Sequence, residues 1–274
     1  MQLSRIGIFD SGYGGLTILS SIRSLMPEYD YIYLGDNARA PYGSRSFELV
    51  YEFTWEAVKW LFNQGCELVI LACNTASAKA LRTIQQQNLP KEFPERRVLG
   101  VIRPTAEIIG EISQTRHVGI LGTEGTIQSE SYDIEISKLH PDIKVTGEAC
   151  PMWVPLVENM EYNKPGADYF VKQHLNNLYQ KDSKIDTVIL ACTHYPLLIQ
   201  KIKEFSPKSF TVIAQGGHVA KSLKDYLYRH PEIETKCSKN QTIKYVTTEN
   251  SEKFSKLASL FLNEKITAQK IILP

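Results

Sequence analysis

The chain has 274 residues, enough for one large domain or two small ones with buried cores. A charged fraction of 22% is ordinary for a globular protein, and a formal net charge of +1 excludes an electrostatic grip on nucleic acid or anionic lipid. No apolar run nears the ~20 residues that cross a bilayer, and MQLSRIGIFDSG leaves no room for a signal peptide, so the expectation is a cytoplasmic protein without membrane or nucleic-acid partners.

RIGIF reads as a first short strand, and DSGYGGLTILSSIRSLMP as a Gly-rich turn and a helix ending before Pro27. DYIYLGD (30–36) is the next strand, followed by the loop NARAPYGSRS. FELVYEFTWEAVKWLFNQ (47–64) repeats apolar residues at helical intervals, with Gly65 as its stop. CELVILAC is then a buried strand, NTASAKALRTIQQQ a helix, RRVLGVIRPT a strand and AEIIGEISQT a helix. Near-continuous apolar strands alternating with helices predict parallel sheets covered on both faces.

The pattern restarts at HVGILGTEGTI (117–127), which has the form of RIGIFDSGYGG (5–15): a strand, then a turn with Gly and a hydroxyl residue. DTVILAC (186–192) stands to it as ELVILAC stands to the first, suggesting an internal duplication. FTVIAQGGHVAKSLKDYLYRHPEI (210–233) adds a strand, a Gly-Gly turn and a helix, and TIKYVTTENSEKFSKLASLFL a last strand and terminal helix. That tail is expected to return to the first unit, because IKYVTT needs a sheet to join. The predicted domains are 1–97 plus 212–274, with Asp10 and Cys73, and 98–211, with Thr123, Cys192 and His194.

VILAC occurs at 69–73 and again at 188–192, each time ending in cysteine. Packing, a disulfide, a metal site or two halves of one reactive centre could account for the repeat. Five cysteines without regular spacing are no disulfide framework, and C-x-x-C and H-E-x-x-H are both missing, so no metal is expected. His117, His140, His174, His218 and His230 have no metal-binding spacing, and GYGG lacks the Lys-Ser/Thr ending of a phosphate loop. Cys66 and Cys150 read as packing residues, Cys237 as part of a surface loop, and SLKDYLYRH as an amphipathic helix.

Ligands of open α/β sheets bind at the carboxyl ends of strands, where Asp10-Ser11, Cys73-Asn74-Thr75, Thr123 and Cys192-Thr193-His194 all fall. Two thiols on opposite faces of one carbon can invert it, one removing a proton as thiolate and the other returning one as thiol. A thiol pKa of ~8.5 lies close enough to neutrality for either state. Asp10 could tune Cys73, and His194 could tune Cys192. At near-attack distance the sulfurs would stand roughly 7 Å apart, too far for a disulfide.

GIFDSGYGGLT, YLGDNARAPYGSRS, ACNTASA, GILGTEGTIQSESY, ACPMWVPLVE and ACTHYPLL, in this order from about residue 6 to 198, resemble the motifs of the glutamate racemases. The resemblance implies a cofactor-independent racemase that interconverts L- and D-glutamate and supplies D-glutamate for peptidoglycan. It also implies a homodimer and two pseudo-symmetric, mostly parallel-sheet α/β domains with the active site in the cleft between them. By matching position, Cys73 and Cys192 would be the bases for the D- and L-enantiomer respectively, with Asp10 and His194 as auxiliary acid/base groups. Ser11, Tyr42, Gly43, Asn74, Thr75, Thr123 and Thr193 would hold the substrate together with Asp10 and His194, and Glu158 matches a carboxylate near the site.

Thr105 stands where the family often has Gly, and VIAQGGHVAKSL (212–223) departs from the family's usual segment; both are expected to bear on packing. Aspartate racemase and arylmalonate decarboxylase are the enzymatic rivals. Decarboxylase-like members keep one of the two cysteines, and His194-Tyr195-Pro196-Leu197 is more typical of the glutamate enzymes. A silent ligand-binding module would need no thiol at two equivalent strand ends.

Overall fold

A computed structural model of the chain describes residues 4–206 and 210–273. Among these residues, ten strands form two sheets in which every pairing is parallel: β1 (Ile6–Asp10), β2 (Tyr31–Gly35), β3 (Leu68–Leu71), β4 (Arg97–Gly100), β5 (His117–Gly122), β6 (Lys144–Ala149), β7 (Thr187–Ala191), β8 (Thr211–Ile213), β9 (Ile243–Thr247) and β10 (Ala268–Lys270). The first sheet runs β10-β9-β2-β1-β3-β4 and the second β6-β5-β7-β8. The block β2-β1-β3-β4 therefore has the strand order of the whole second sheet.

The likeness extends to register. Gly7 of β1 lies opposite Val69 of β3, and Gly119 of β5 opposite Val188 of β7, so the two VILAC strings sit identically against their neighbours. Each glycine admits a helix close to its strand. A methyl on Gly7 would come within 3.3 Å of Leu61, and one on Gly119 within 2.7 Å of Leu178.

Alternation along the strands of the first sheet divides its core. Ile6, Ile8, Tyr31, Tyr33, Leu68 and Ile70 face α1 (Leu16–Leu25) and the helices Gly216–Arg229 and Ser251–Leu262. Phe9, Ile32, Leu34, Val69 and Leu71 face α2 (Phe47–Asn63) and α3 (Asn74–Lys79). Ser46 caps α2 at its start, and Gly65, at φ +92, turns the chain after its end, a conformation with little cost only for glycine.

The chain divides into one unit of 1–101 and 216–274 and another of 102–215. They fall four residues beyond the expected 97/98 and 211/212, with β4 paired in the first sheet and β8 in the second before the chain leaves each. The return of the tail is pinned by Asp30, whose carboxylate accepts hydrogen bonds from Asn240 Nδ2 at 2.7 Å and Thr242 N at 2.8 Å. β9 then pairs with β2.

Three further details differ from the sequence reading. The helix expected from residue 106 spans Ile102–Ile112, since Pro104 in its first turn lacks only an N–H that a helix start leaves unbonded anyway. The helix expected after Cys73 is interrupted beyond Lys79 and includes a π-helical turn at Ile84–Asn88. Cys237 is 5% exposed, packed in the core with its thiol donating to Ile233 O, rather than in a surface loop.

The two departures from the family pattern meet inside the second unit. Gln215 Nε2 donates to Thr105 Oγ1 at 3.0 Å and to Tyr132 Oη at 2.6 Å, all three side chains buried. Thr105 lies within the first turns after one crossing between units, and Gln215 immediately before the other.

Asp186 fastens β7 to the end of the helix Ile102–Ile112, accepting bonds from Ser113 Oγ, Gln114 N and Thr115 N, all at 2.8 Å. Burial disfavours its charge, but these bonds outweigh that and bring its pKa down to about 2. Its folded pKa lies below the ~3.9 of a free aspartate, so its contribution is present above pH ~4 and lost as pH falls toward 2. Asp186→Asn should flatten the fall in urea midpoint across that window and lower stability at neutral pH. A wild-type acid limb in this variant contradicts the assignment.

Candidate active site

In the first unit, β1 and β3 are neighbours and bring Asp10 and Cys73 to the same carboxyl end of the sheet. Asp10 ends β1, fully buried, and its Oδ1 accepts the Gly12 N–H at 2.9 Å, which fixes the turn through Ser11. Gly15 presses on it: a methyl there would stand 2.5 Å from Asp10 Cβ. Cys73 is 6% exposed and forms the N-cap of α3, its sulfur accepting the Ala76 N–H at 3.4 Å. Ser11 Oγ lies 3.4 Å from the same sulfur. Asn74 and Thr75, in the first turn of α3, are buried beside it.

Tyr42 and Gly43 lie in the loop between β2 and α2. Tyr42 is buried and its hydroxyl donates to Asp36; burial and that carboxylate push the phenol far above its usual range. The ring packs on Phe9 and Phe53, so the side chain is structural. Asp36 also accepts from Arg39 Nε at 2.6 Å and Thr248 Oγ1 at 2.8 Å, tying this loop to the one after β9. It stands in the quoted YLGDNARAPYG, yet the sequence reading gave it no role. A buried aspartate after a strand, with Arg three residues on and Tyr six residues on, was the available signal.

In the second unit, β5 and β7 are likewise neighbours. Thr123 follows β5 and caps the helix Glu124–Gln128, accepting the Thr126 N–H at 3.2 Å. The common register makes Thr123 the counterpart of Ser11. Cys192, 6% exposed, follows β7, and Thr193 and His194 are buried after it. Tyr195 closes the turn: its N–H donates to Cys192 O at 3.1 Å and its hydroxyl to Cys150 O at 3.0 Å. Trp153 packs on its ring at a centroid distance of 4.8 Å.

His194 Nδ1 lies 3.8 Å from Cys192 Sγ, and its Nε2 lies 3.1 Å from Glu158 Oε1, Glu158 being the last residue of the helix Trp153–Glu158. Burial works against a charged imidazole here. The hydrogen bonds to Cys192 and Glu158 outweigh it and raise the His194 pKa to about 10. At neutral pH both ring nitrogens therefore carry protons, one directed at the sulfur and one at the carboxylate.

The other cysteines differ. Burial pushes the Cys66 and Cys237 thiols up to about 12, and Cys150 well above its ordinary value. All three remain thiols at neutral pH. Among the described residues, no group of three or more His, Cys, Asp or Glu could hold a metal ion, and no helix is long and apolar enough to cross a membrane.

Residues 17–215 match the model of the Asp/Glu/hydantoin racemase family. A glutamate racemase of Shouchella clausii is 39% identical over 258 residues, covering 94% of this chain and 90% of that protein. The crystal structure of a glutamate racemase isoform of Bacillus anthracis superposes with a TM-score of 0.90 at 36% identity, covering 100% of this chain and 99% of that one. A glutamate racemase of Francisella tularensis, solved in complex with D-glutamate, has a TM-score of 0.88 at 30% identity, with the same coverage.

The His194 pair makes a directional prediction. Its folded pKa lies above the ~6.5 of a free histidine, so its stabilisation is complete below pH ~6.5 and lost as pH rises through about 10. In an NMR titration the His194 ring should stay protonated past pH 9, and Glu158→Gln should move its midpoint down. A midpoint near 6.5 in the unsubstituted protein contradicts the arrangement.

Proposed function

The chain belongs to the Asp/Glu/hydantoin racemase family and racemises glutamate, and we propose that Cys73 and Cys192 are the two bases of that reaction. The observation that carries this reading is the shared register. Two cysteines follow equivalent strands of two equivalent sheets, and each is hydrogen-bonded within its own half.

In one direction a thiolate takes the α-proton, its electron pair becoming the S–H bond while the C–H pair passes to the α-carbon and its carboxylate. The opposite thiol then gives its proton to the other face and is left as thiolate. The reverse reaction, or exchange with water, restores the starting protonation. Cys73 takes the proton of D-glutamate, the ligand of the Francisella tularensis relative, and Cys192 that of L-glutamate.

Each half supports a thiolate differently. At Cys73 the Ala76 N–H and the Ser11 hydroxyl can donate to sulfur. At Cys192 the His194 imidazolium donates, held in place by Glu158. Asp10 orients the Ser11 turn and accepts from the substrate ammonium. Main-chain groups at Tyr42 and Gly43, with the side chains of Ser11, Asn74, Thr75, Thr123 and Thr193, hold the carboxylates. We extend the reading, on the family resemblance, to a cytoplasmic homodimer that supplies D-glutamate for peptidoglycan and cell shape.

Incubation with L-glutamate in deuterium oxide, without added cofactor, should give D-glutamate deuterated at the α-carbon. Cys73→Ala and Cys192→Ala should each lower racemisation by at least about 10²–10⁴-fold with the circular dichroism spectrum unchanged. Ordinary turnover by either single variant sinks the two-thiol mechanism, and activity on aspartate alone moves the substrate to the runner-up.

A further inference from the structure

We propose that Lys79 is a positioning residue, whose buried ammonium holds the Tyr42–Arg45 loop at a set distance from the helix that begins at Cys73. The inference rests on the reading of Cys73, Tyr42 and Gly43 given above. Lys79 is the last residue of α3 and is only 8% exposed. At the end of a helix a lysine ordinarily extends into water, where it suits the helix dipole without desolvation. This one turns inward. Its Nζ donates to Arg45 O at 2.6 Å and stands 4.7 Å from the centroid of the Phe47 ring. Burial draws its pKa down while Glu48 opposes the change.

The need for such a tie follows from the strand order. The loop leaves β2, whereas Cys73 follows β3, and β1 lies between them. Two strand spacings, about 9.6 Å, therefore separate the roots of the loop and of the thiol helix. The other bonds of the loop point elsewhere. Tyr42 is tied to Asp36 after β2, Arg45 N donates to Tyr42 O, and Ser46 caps α2. The bond from Lys79 to Arg45 O reaches from the Cys73 helix to the main chain of the loop. A ligand held between Gly43 and Cys73 would feel any drift of the loop as weaker binding, before any change at the sulfur.

Lys79→Met keeps the apolar stem over Phe47 and removes the donor. It should raise KM for both enantiomers about tenfold, the loss of one charge-assisted hydrogen bond, with kcat within about twofold of the unsubstituted enzyme. Amide hydrogen exchange at residues 43–45 should quicken in the same variant. Lys79→Gln keeps a donor that falls short of Arg45 and should behave like Met, which serves if the Met variant does not fold. Lys79→Arg, able to reach, should restore KM to within about threefold.

A merely structural lysine would lower thermal stability and the active fraction while leaving KM and loop exchange unchanged, and that result overturns the proposal. The exchange measurement needs no activity. An enzyme inactive on glutamate with Lys79-dependent loop exchange would defeat the functional reading and leave the clamp standing. An active enzyme with Lys79-independent exchange and KM would do the reverse.

Discussion

A pair of parallel strands in fixed register sets the chemistry in each half of the molecule. Gly7 against Val69 and Gly119 against Val188 lock β3 and β7 so that the residue after Leu-Ala is a cysteine beyond the strand end. A slip of one residue would turn each sulfur to the opposite face of its sheet and leave the loop after β1 or β5 without its partner. The glycines contribute because they let Leu61 and Leu178 pack directly on the central strands, burying each sheet at the point where its register must hold.

On this common frame the two halves are chemically unequal. Cys73 accepts a helix-start N–H and stands against a serine hydroxyl, both neutral groups. Cys192 is held by a histidine whose charge is maintained by Glu158 and by the sulfur itself. One sulfur depends on main-chain geometry and the other on a histidine steadied by a carboxylate, so substitutions around them should fail in different ways. Removing Glu158 leaves a buried imidazole without its carboxylate partner, whereas displacing Asp10 disturbs a turn. Trp153 and Tyr195 join the segments after β6 and β7, by their ring contact and through the Cys150 carbonyl.

Much of this was legible in the sequence because the central strands are near-continuous apolar runs and the reactive residues follow them directly. The repeated VILAC announced equivalent strands, and the RIGIF and HVGILG strings announced their partners. Two edge strands were not legible. β6 is half-exposed with a glycine in it and β10 is three residues long, so neither carries the pattern of a buried strand. The assigned roles of Asp10, Cys73, Cys192 and His194 rested on strand ends, a local signal. Asp36 reaches Thr248 and Lys79 reaches Arg45 across strands, and nothing in their immediate neighbours reports those partners. The Thr105–Gln215 bond was invisible for the same reason, its ends lying far apart in the chain.

If Cys73 and Cys192 are the two bases of the reaction, both answer to the same glutamate molecule and the other three cysteines do not. Alkylation by iodoacetamide, mapped by peptide mass spectrometry with and without glutamate, measures this directly. The expected result is modification of Cys73 and Cys192 at neutral pH and protection of both by glutamate with the same half-saturating concentration. Cys66, Cys150 and Cys237, buried and held as thiols, should stay unmodified in the folded protein. Protection of one cysteine without the other, or of neither, would rule out the pairing of the two thiols.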